Sequence, residues 1–160
     1  MSLLEEPRAS TTSAVEPAWG STASASRAPY IAQVPQIRVE WGGGPAWIDE
    51  LVDQLNQLLL LRADWDTYGA PPLDVRHALR LLELLPRLVQ DATLPAPVVV
   101  PTARAGFQLE WEQDATVVEL RVDDEVTAVH VEDAQGEDEG PVALHLGRAR
   151  ATLRDLARAA

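Results

Sequence analysis

The sequence predicts an α+β protein in which helices cover one face of an antiparallel sheet. Three observations predict this class. Between residues 46 and 89, apolar side chains recur at helical spacing. From Pro95 onward the apolar period changes to two, which is typical of half-buried strands, and the last residues return to helical spacing. The predicted order is a low-complexity tail, two N-terminal helices, an antiparallel β-meander of three to four strands and a C-terminal helix.

The first 45 residues differ in composition from the rest. They contain all six serines of the chain and five of its 12 prolines, with few large apolar side chains before Tyr30. Such a stretch cannot bury enough apolar surface to offset the entropy lost on ordering. We therefore expect a flexible Ser/Ala/Pro-rich tail over 1–45 and a single acidic α+β domain over 46–160, which is long enough for one core.

One segment of this tail departs from that composition. Between Pro35 and Gly42, apolar and charged residues alternate, and this pattern predicts a strand over 36–41. Two docking modes are open, because such a strand can add to an edge of its own sheet or to the sheet of a partner. The apolar residues of this segment, which are candidate partner-binding residues, are Ile37, Val39 and Trp41.

Two helices are predicted before the sheet. The first spans 46–63, where Pro45 suits a helix start and two acids in the first turn suit the helix dipole. The second begins after Asp74, whose side chain is a good N-cap. Pro86 is expected to kink or end it, since proline removes a backbone donor and clashes one turn back.

Strand alternation predicts which side chains share a face. Three segments follow a period of two: 106–112, 116–123 and 126–132, the last with Thr127, Val129 and Val131 on one face. With a two-residue turn between successive strands, Leu109 pairs with Val118 and Val118 pairs with Val129, so that the large apolar residues stay together. Val98–Val100 lies between prolines and predicts an edge strand. Asp133–Glu139 is interpreted as an acidic loop.

Two motifs resemble a known pattern. "WDTYGAPP" at 65–72 is followed about thirty residues later by "PTARAGFQLEW" at 101–111. The pair resembles a group of small, uncharacterised bacterial proteins that carry a WD(S/T)YGA-P segment and then a PT-x-G-x-QLEW segment. The resemblance covers 51 to about 120, and the chain departs from it at 103–105, where Ala-Arg-Ala replaces the usual Pro and second Gly. The group has no assigned activity, so the resemblance implies no function.

Charge and residue types exclude several functions. The formal net charge is -12, and an acidic domain repels phosphate, so we expect no nucleic-acid binding. The chain has no cysteine and no lysine, and its serines all precede residue 27, which removes the usual nucleophiles from the domain. No apolar run approaches the ~18 residues of a membrane span, and because the N-terminus is acidic and has no apolar stretch, we expect no secretory signal. We expect a cytoplasmic protein without membrane, metal or cofactor.

The polar face of the predicted sheet carries one candidate site. Glu110, Glu119 and His130 are expected there, with Arg121 as a neighbour. This set could form an acid–base or metal site, and the alternative interpretation is a solvated face in which Arg121 pairs with the acids. His77 and His145 are expected to be isolated on exposed or rim positions of helices.

The stretch "DWDTYGAPP", from Asp64 to Pro72, carries the other candidate site. It is expected to act as a turn in which Asp66 bonds the backbone two residues on and Gly69 takes a positive φ. In this interpretation Trp65 and Tyr68 pack over the helices with their polar atoms bonded to backbone. The alternative is a partner-binding surface formed by Asp64, Trp65 and Tyr68.

Together these features favour a non-catalytic protein-binding domain. The expected protein is an acidic bacterial partner of antitoxin, immunity or adaptor type that covers a cationic surface on another protein. Two alternatives remain, a small carboxylate-based hydrolase and a dimeric structural subunit. A concave pocket around Glu110, Glu119 and His130 would favour the hydrolase, and an open face would favour protein binding.

Overall fold

The computed structural model describes residues 36–160, so the predicted low-complexity tail before Gln36 lies outside the described residues. The elements are α1 (Ile48–Leu58), α2 (Val75–Leu88), β1 (Val98–Thr102), β2 (Gly106–Gln113), β3 (Thr116–Val122), β4 (Thr127–Asp133), β5 (Gly136–Pro141) and α3 (Val142–Ala159). The α+β class and the element order are confirmed. The sheet has five strands, however, where three to four were predicted.

The helices begin and end for local reasons. Helix α1 ends before the predicted limit of 63, because the chain after Leu58 tightens into i to i−3 bonds, as in the 3.0 Å bond from the Leu61 N–H to the Leu58 carbonyl. The Asp74 carboxylate caps α2 by accepting from the Arg76 N–H at 2.8 Å. Pro86 lies in the last turn of α2, which ends two residues later. Proline therefore closes this helix without kinking its middle.

The sheet is an antiparallel meander in the order β1-β2-β3-β4-β5. The predicted faces are correct but the predicted register is wrong by two residues. Leu109 pairs with Leu120, and Val118 pairs with Val131. A shift of two residues keeps every side chain on its face, which is why the apolar pattern could not reveal the error.

The two turns explain this register. The β2–β3 turn has two residues, Asp114 and Ala115, one position later than the predicted pairing requires, and Asp114 adopts a φ of 54° there. The β3–β4 connection uses four residues rather than two, because the Asp123 carboxylate accepts hydrogen bonds from the Glu125 and Val126 N–H groups, both at 2.9 Å. A carboxylate that satisfies two turn donors stabilises this longer connection.

The predicted acidic loop at Asp133–Glu139 is instead a tight turn followed by strand β5. Gly136 takes a φ of 117° at the turn, and β5 pairs with β4 along its length. The sequence "GEDEGP" has low strand propensity, so neither periodicity nor propensity identified it. Charged residues on a sheet edge are a known protection against edge-to-edge pairing.

One face of the sheet forms the core together with the helices. The predicted burial of Leu109 and Trp111 is confirmed at 0% and 2% exposure. Apolar residues of all three helices belong to the same core cluster as the inward residues of β2, β3 and β4. Within residues 36–160, no element covers the opposite face of the sheet.

The segment before α1 does not form the predicted strand at 36–41. Ile37 is instead only 6% exposed, and its backbone pairs with one side chain. The Ile37 N–H donates to Asn56 Oδ1 at 2.8 Å, and Asn56 Nδ2 donates to the Ile37 carbonyl at 3.0 Å. A primary amide offers the same donor and acceptor pair as a neighbouring strand. The packed unit therefore begins before the predicted boundary at residue 46.

Candidate functional site

The structure places the three residues predicted on the polar sheet face in one row. Glu110 lies opposite Glu119, and Glu119 lies opposite His130. The row continues onto β5, where Glu139 lies opposite His130. Glu139 was missed because its segment was interpreted as a loop. Directly opposed residues have Cβ atoms about 4.5–5.5 Å apart, so the four side chains are neighbours.

The row is electrostatically acidic. Burial raises the pKa of the Glu119 carboxyl, His130 opposes this shift, and the carboxylates of Glu110 and Glu139 raise the pKa further. Arg121 makes its direct ion pair outside the row, since its guanidinium Nε donates to Asp123 Oδ2 at 2.7 Å, although its charge also lowers the pKa of Glu119. The row thus presents carboxylates with one imidazole between them.

The row lies on the sheet face opposite the helices, and it lines none of the three cavities found among residues 36–160. Three cavities among residues 36–160 have volumes of about 350, 270 and 360 Å³. None of these three is lined by Glu110, Glu119 or His130. In the same part of the chain, no group of three His, Cys, Asp or Glu side chains is arranged to hold a metal ion.

The Asp64–Pro72 segment forms a compact loop between α1 and α2. As predicted, Asp66 Oδ1 accepts from the backbone two residues on, at 2.9 Å from the Tyr68 N–H, and it also accepts from the Ala70 N–H at 3.0 Å. Asp64 closes the loop, since its N–H donates to the Ala70 carbonyl at 2.7 Å and its Oδ1 accepts from the Gly69 N–H at 2.9 Å. These bonds explain why an aspartate stands on each side of Trp65.

The two aromatic residues of the loop have different environments. Trp65 is partly buried against the core, and its indole N–H donates to the Pro71 carbonyl at 3.1 Å, as expected. Tyr68 was expected to pack over the helices, but its side chain is 92% exposed. Gly69 takes the predicted positive φ, at 89°, and this conformation directs the chain away after Tyr68. The loop therefore displays one large aromatic ring to the surroundings.

The other candidate residues have structural contacts. Val39 and Trp41 pack against the core, as does Ile37, so this segment offers less free apolar surface than predicted. The histidines predicted to be isolated are paired, with His77 Nδ1 2.9 Å from the Ala105 carbonyl and His145 Nδ1 2.8 Å from Asp138 Oδ2. Sequence spacing alone gave no sign of either contact.

An ion-pair network holds β5 against α3. Arg148 Nη2 donates to Asp133 Oδ1 at 2.9 Å, and its Nη1 lies 3.6 Å from Asp138 Oδ2. The hydrogen bond from His145 lowers the pKa of the Asp138 carboxyl, and Arg148 adds to that effect. These charged side chains therefore stabilise the edge strand rather than forming a reactive site.

No family model matches the chain, and neither curated proteins nor solved structures give a significant match. Within the described part of the chain, no helix is long and apolar enough to cross a membrane. Two surfaces carry side chains whose role is not explained by the contacts above. They are the acidic row on the sheet face opposite the helices and the loop that displays Tyr68.

Proposed function

We propose that the protein is a non-catalytic protein-binding domain whose open sheet face binds a cationic surface of another protein, as an antitoxin, immunity protein or adaptor does. The observation that carries this proposal is the row of Glu110, Glu119, His130 and Glu139 on a sheet face that no described element covers. A broad, open and acidic face suits a protein surface better than a small substrate, which needs enclosure.

Further carboxylates extend this surface. The next row across the same face contains Glu112, Glu132 and Glu137, set by the same registers. Each exposed ion pair with a partner contributes only about 0.2–1 kcal/mol, so no single glutamate dominates the affinity. Several together steer a cationic partner toward the face and determine which partners are rejected. Binding is therefore expected to weaken as salt is added.

A charge-neutralising variant tests this proposal. The triple variant Glu110→Gln, Glu119→Gln and Glu139→Gln removes three charges from the open face. A matched control, Asp53→Asn, Glu83→Gln and Asp155→Asn, removes three exposed charges from the helices, which lie on the other side of the sheet. Wild type and both variants are used as bait in a lysate of the source organism, and captured proteins are quantified by mass spectrometry.

The captured protein is then purified and its affinity for each form measured by calorimetry at low and high salt. Support requires a partner with a basic surface whose affinity falls about tenfold or more in the open-face variant, roughly 1.4 kcal/mol, and not in the control. Equal affinities of the two variants, or binding that does not depend on salt, would contradict the proposal.

A carboxylate-based hydrolase is the second candidate, and the raised pKa of Glu119 beside His130 favours it. A carboxyl of raised pKa can act as a general acid when a second carboxylate stays ionised. Hydrolysis of p-nitrophenyl acetate by wild type and by Glu119→Gln tests this candidate. It predicts a rate above background that the variant loses, and equal rates would exclude Glu119 as the acid.

A further inference from the structure

The loop from Asp64 to Ala70 is built as a rigid display for Tyr68. The backbone and carboxylate bonds of Asp64 and Asp66 fix both ends of the loop, and the Thr67 N–H donates to the Asp64 carbonyl at 3.1 Å. The ring at its tip is 92% exposed. A large, rigid aromatic side chain loses little entropy when it binds, which is why tyrosine is common at the energetic centres of interfaces.

The backbone of this loop is strained. Asp64 and Thr67 both adopt positive φ, at 65° and 64°, although neither is glycine. Such a conformation is a genuine outlier for a β-branched residue like Thr67 and is strained. A simple connection between two helices does not require this strain. It is consistent with a loop whose shape serves to hold Tyr68 outward.

A second feature of the same chain is a cavity lined by arginines, whose charge is opposite to that of the aspartates in the loop. Its volume is about 270 Å³, and it lies between the C-terminal end of α2 and helix α3. Its apolar lining residues are Leu88, Val89, Leu94 and Leu153. Its rim carries Arg150, Arg154 and Arg158, which are spaced four residues apart and so share one face of α3.

These arginines make the cavity cationic in an otherwise acidic protein. Hydrogen bonds from the Thr93 N–H and hydroxyl lower the pKa of Asp91, which also lines the cavity, and the charges of Arg158 and Arg154 lower it further. Arg150 donates through Nε to the Arg87 carbonyl at the end of α2. Among the described residues Arg154 forms no ion pair within 4.0 Å, so its guanidinium has no charged partner in this part of the chain.

We propose that the Tyr68 loop of one copy inserts into the arginine-rimmed cavity of a second copy, so that the protein associates head to tail. An arginine guanidinium stacks favourably on a tyrosine ring. The ring therefore contacts mainly the arginine rim, because the apolar lining residues beneath it are only 2–4% exposed. The carboxylates of Asp64 and Asp66 then face guanidinium groups. The acidic sheet face of a second copy also has a charge opposite to that of the cavity, but the rows described above contain no aromatic side chain. The Tyr68 loop combines acidic residues with an aromatic ring and is therefore the better occupant.

This contact is heterologous, since two different surfaces meet, and it leaves the open sheet face of each copy available. One loop in one cavity buries far less than the ~1,200 Å² of a stable interface, so weak association is expected. The net charge of -12 on each copy opposes it, and salt near ~0.15 M screens that repulsion over about 8 Å.

Sedimentation of the full chain tests the proposal. At salt of ~0.15 M, the weight-average mass of wild type is expected to rise between about 10 µM and about 1 mM, the range of a weak contact. Tyr68→Ala and Arg154→Glu are each expected to remain monomeric. Their matched controls, Leu144→Ala at a 79% exposed position and Arg80→Glu on the exposed side of α2, are expected to associate like wild type.

Mixing the two defective variants gives the decisive measurement. The Tyr68→Ala chain keeps an intact cavity and the Arg154→Glu chain keeps an intact loop, so an equimolar mixture is expected to form dimers and nothing larger. Thermal unfolding of each variant checks that it is folded. A monomeric wild type, a Tyr68→Ala chain that still associates, or a mixture that fails to dimerise would each overturn the proposal.

Discussion

Replacing Asn56 with alanine is expected to release the segment before α1. The change removes both hydrogen bonds between the Asn56 amide and the Ile37 backbone, at 2.8 and 3.0 Å. Each such bond contributes about 0.5–1.5 kcal/mol net, so the pair contributes about 1–3 kcal/mol. If Ile37 also leaves its buried position, roughly 1.5–3 kcal/mol of apolar burial is lost. Recovered chain entropy of about 1–2 kcal/mol per released residue offsets that second loss.

The expected decrease in the free energy of unfolding is therefore about 1–3 kcal/mol, measured by urea denaturation. Hydrogen exchange at the Ile37 amide gives a local readout, because that N–H loses its acceptor. Gln54→Ala is the control, since its side chain makes only a 3.4 Å exposed bond to Glu50 on the same helix. A decrease below about 0.5 kcal/mol with unchanged protection at Ile37 would refute the inference that Asn56 fixes this segment.

Three further outcomes are expected. Leu109→Ala should lower the free energy of unfolding by about 2–5 kcal/mol because Leu109 is 0% exposed, and a loss under about 1 kcal/mol would contradict the core described above. Gly106→Ala should lower the melting temperature, since an added Cβ overlaps the Val122 carbonyl oxygen, and an unchanged melting temperature would mean that the backbone can move there. The hydrogen bond from His145 holds the pKa of Asp138 below its usual 3.8, so this contact stabilises the fold above that pH and is lost as pH falls through the lowered pKa. Urea unfolding between about pH 2 and 5 should accordingly show a shallower acid dependence for Asp138→Asn than for wild type, and identical slopes would exclude that contribution.

The faces of the sheet could be predicted from sequence because alternation is read directly from side-chain type. Leu109, Trp111 and Val118 are inward as expected, and Glu110 and Glu119 are outward. The register could not be predicted in the same way. The register depends on the geometry of the turns at Asp114 and Asp123. At Asp123, hydrogen bonds to one carboxylate stabilise a connection two residues longer than predicted.

The candidate site was predicted only in part for a related reason. Glu110, Glu119 and His130 share the polar face as expected, but their direct opposition depends on the register. Glu139 was missed because β5 is held by pairing with β4 and by ion pairs to α3, neither of which appears in local sequence. The exposure of Tyr68 also depends on long-range closure of its loop, whereas the bonds of Asp66 are local and were predicted.

The composition of the two edge strands bears on how the protein behaves at high concentration. Strand β1 includes Pro101 and follows Pro97, which lack amide donors, and β5 carries Glu137, Asp138 and Glu139. Neither edge is a good template for another strand, because Pro101 removes one backbone donor from β1 and the acids of β5 repel a second copy. The protection of β5 depends on ionised carboxylates and therefore on pH. The protection of β1 does not depend on pH, because proline has no backbone N–H at any pH. Acidification should therefore weaken the protection of β5 and leave that of β1 unchanged, so that association at low pH proceeds edge to edge through β5.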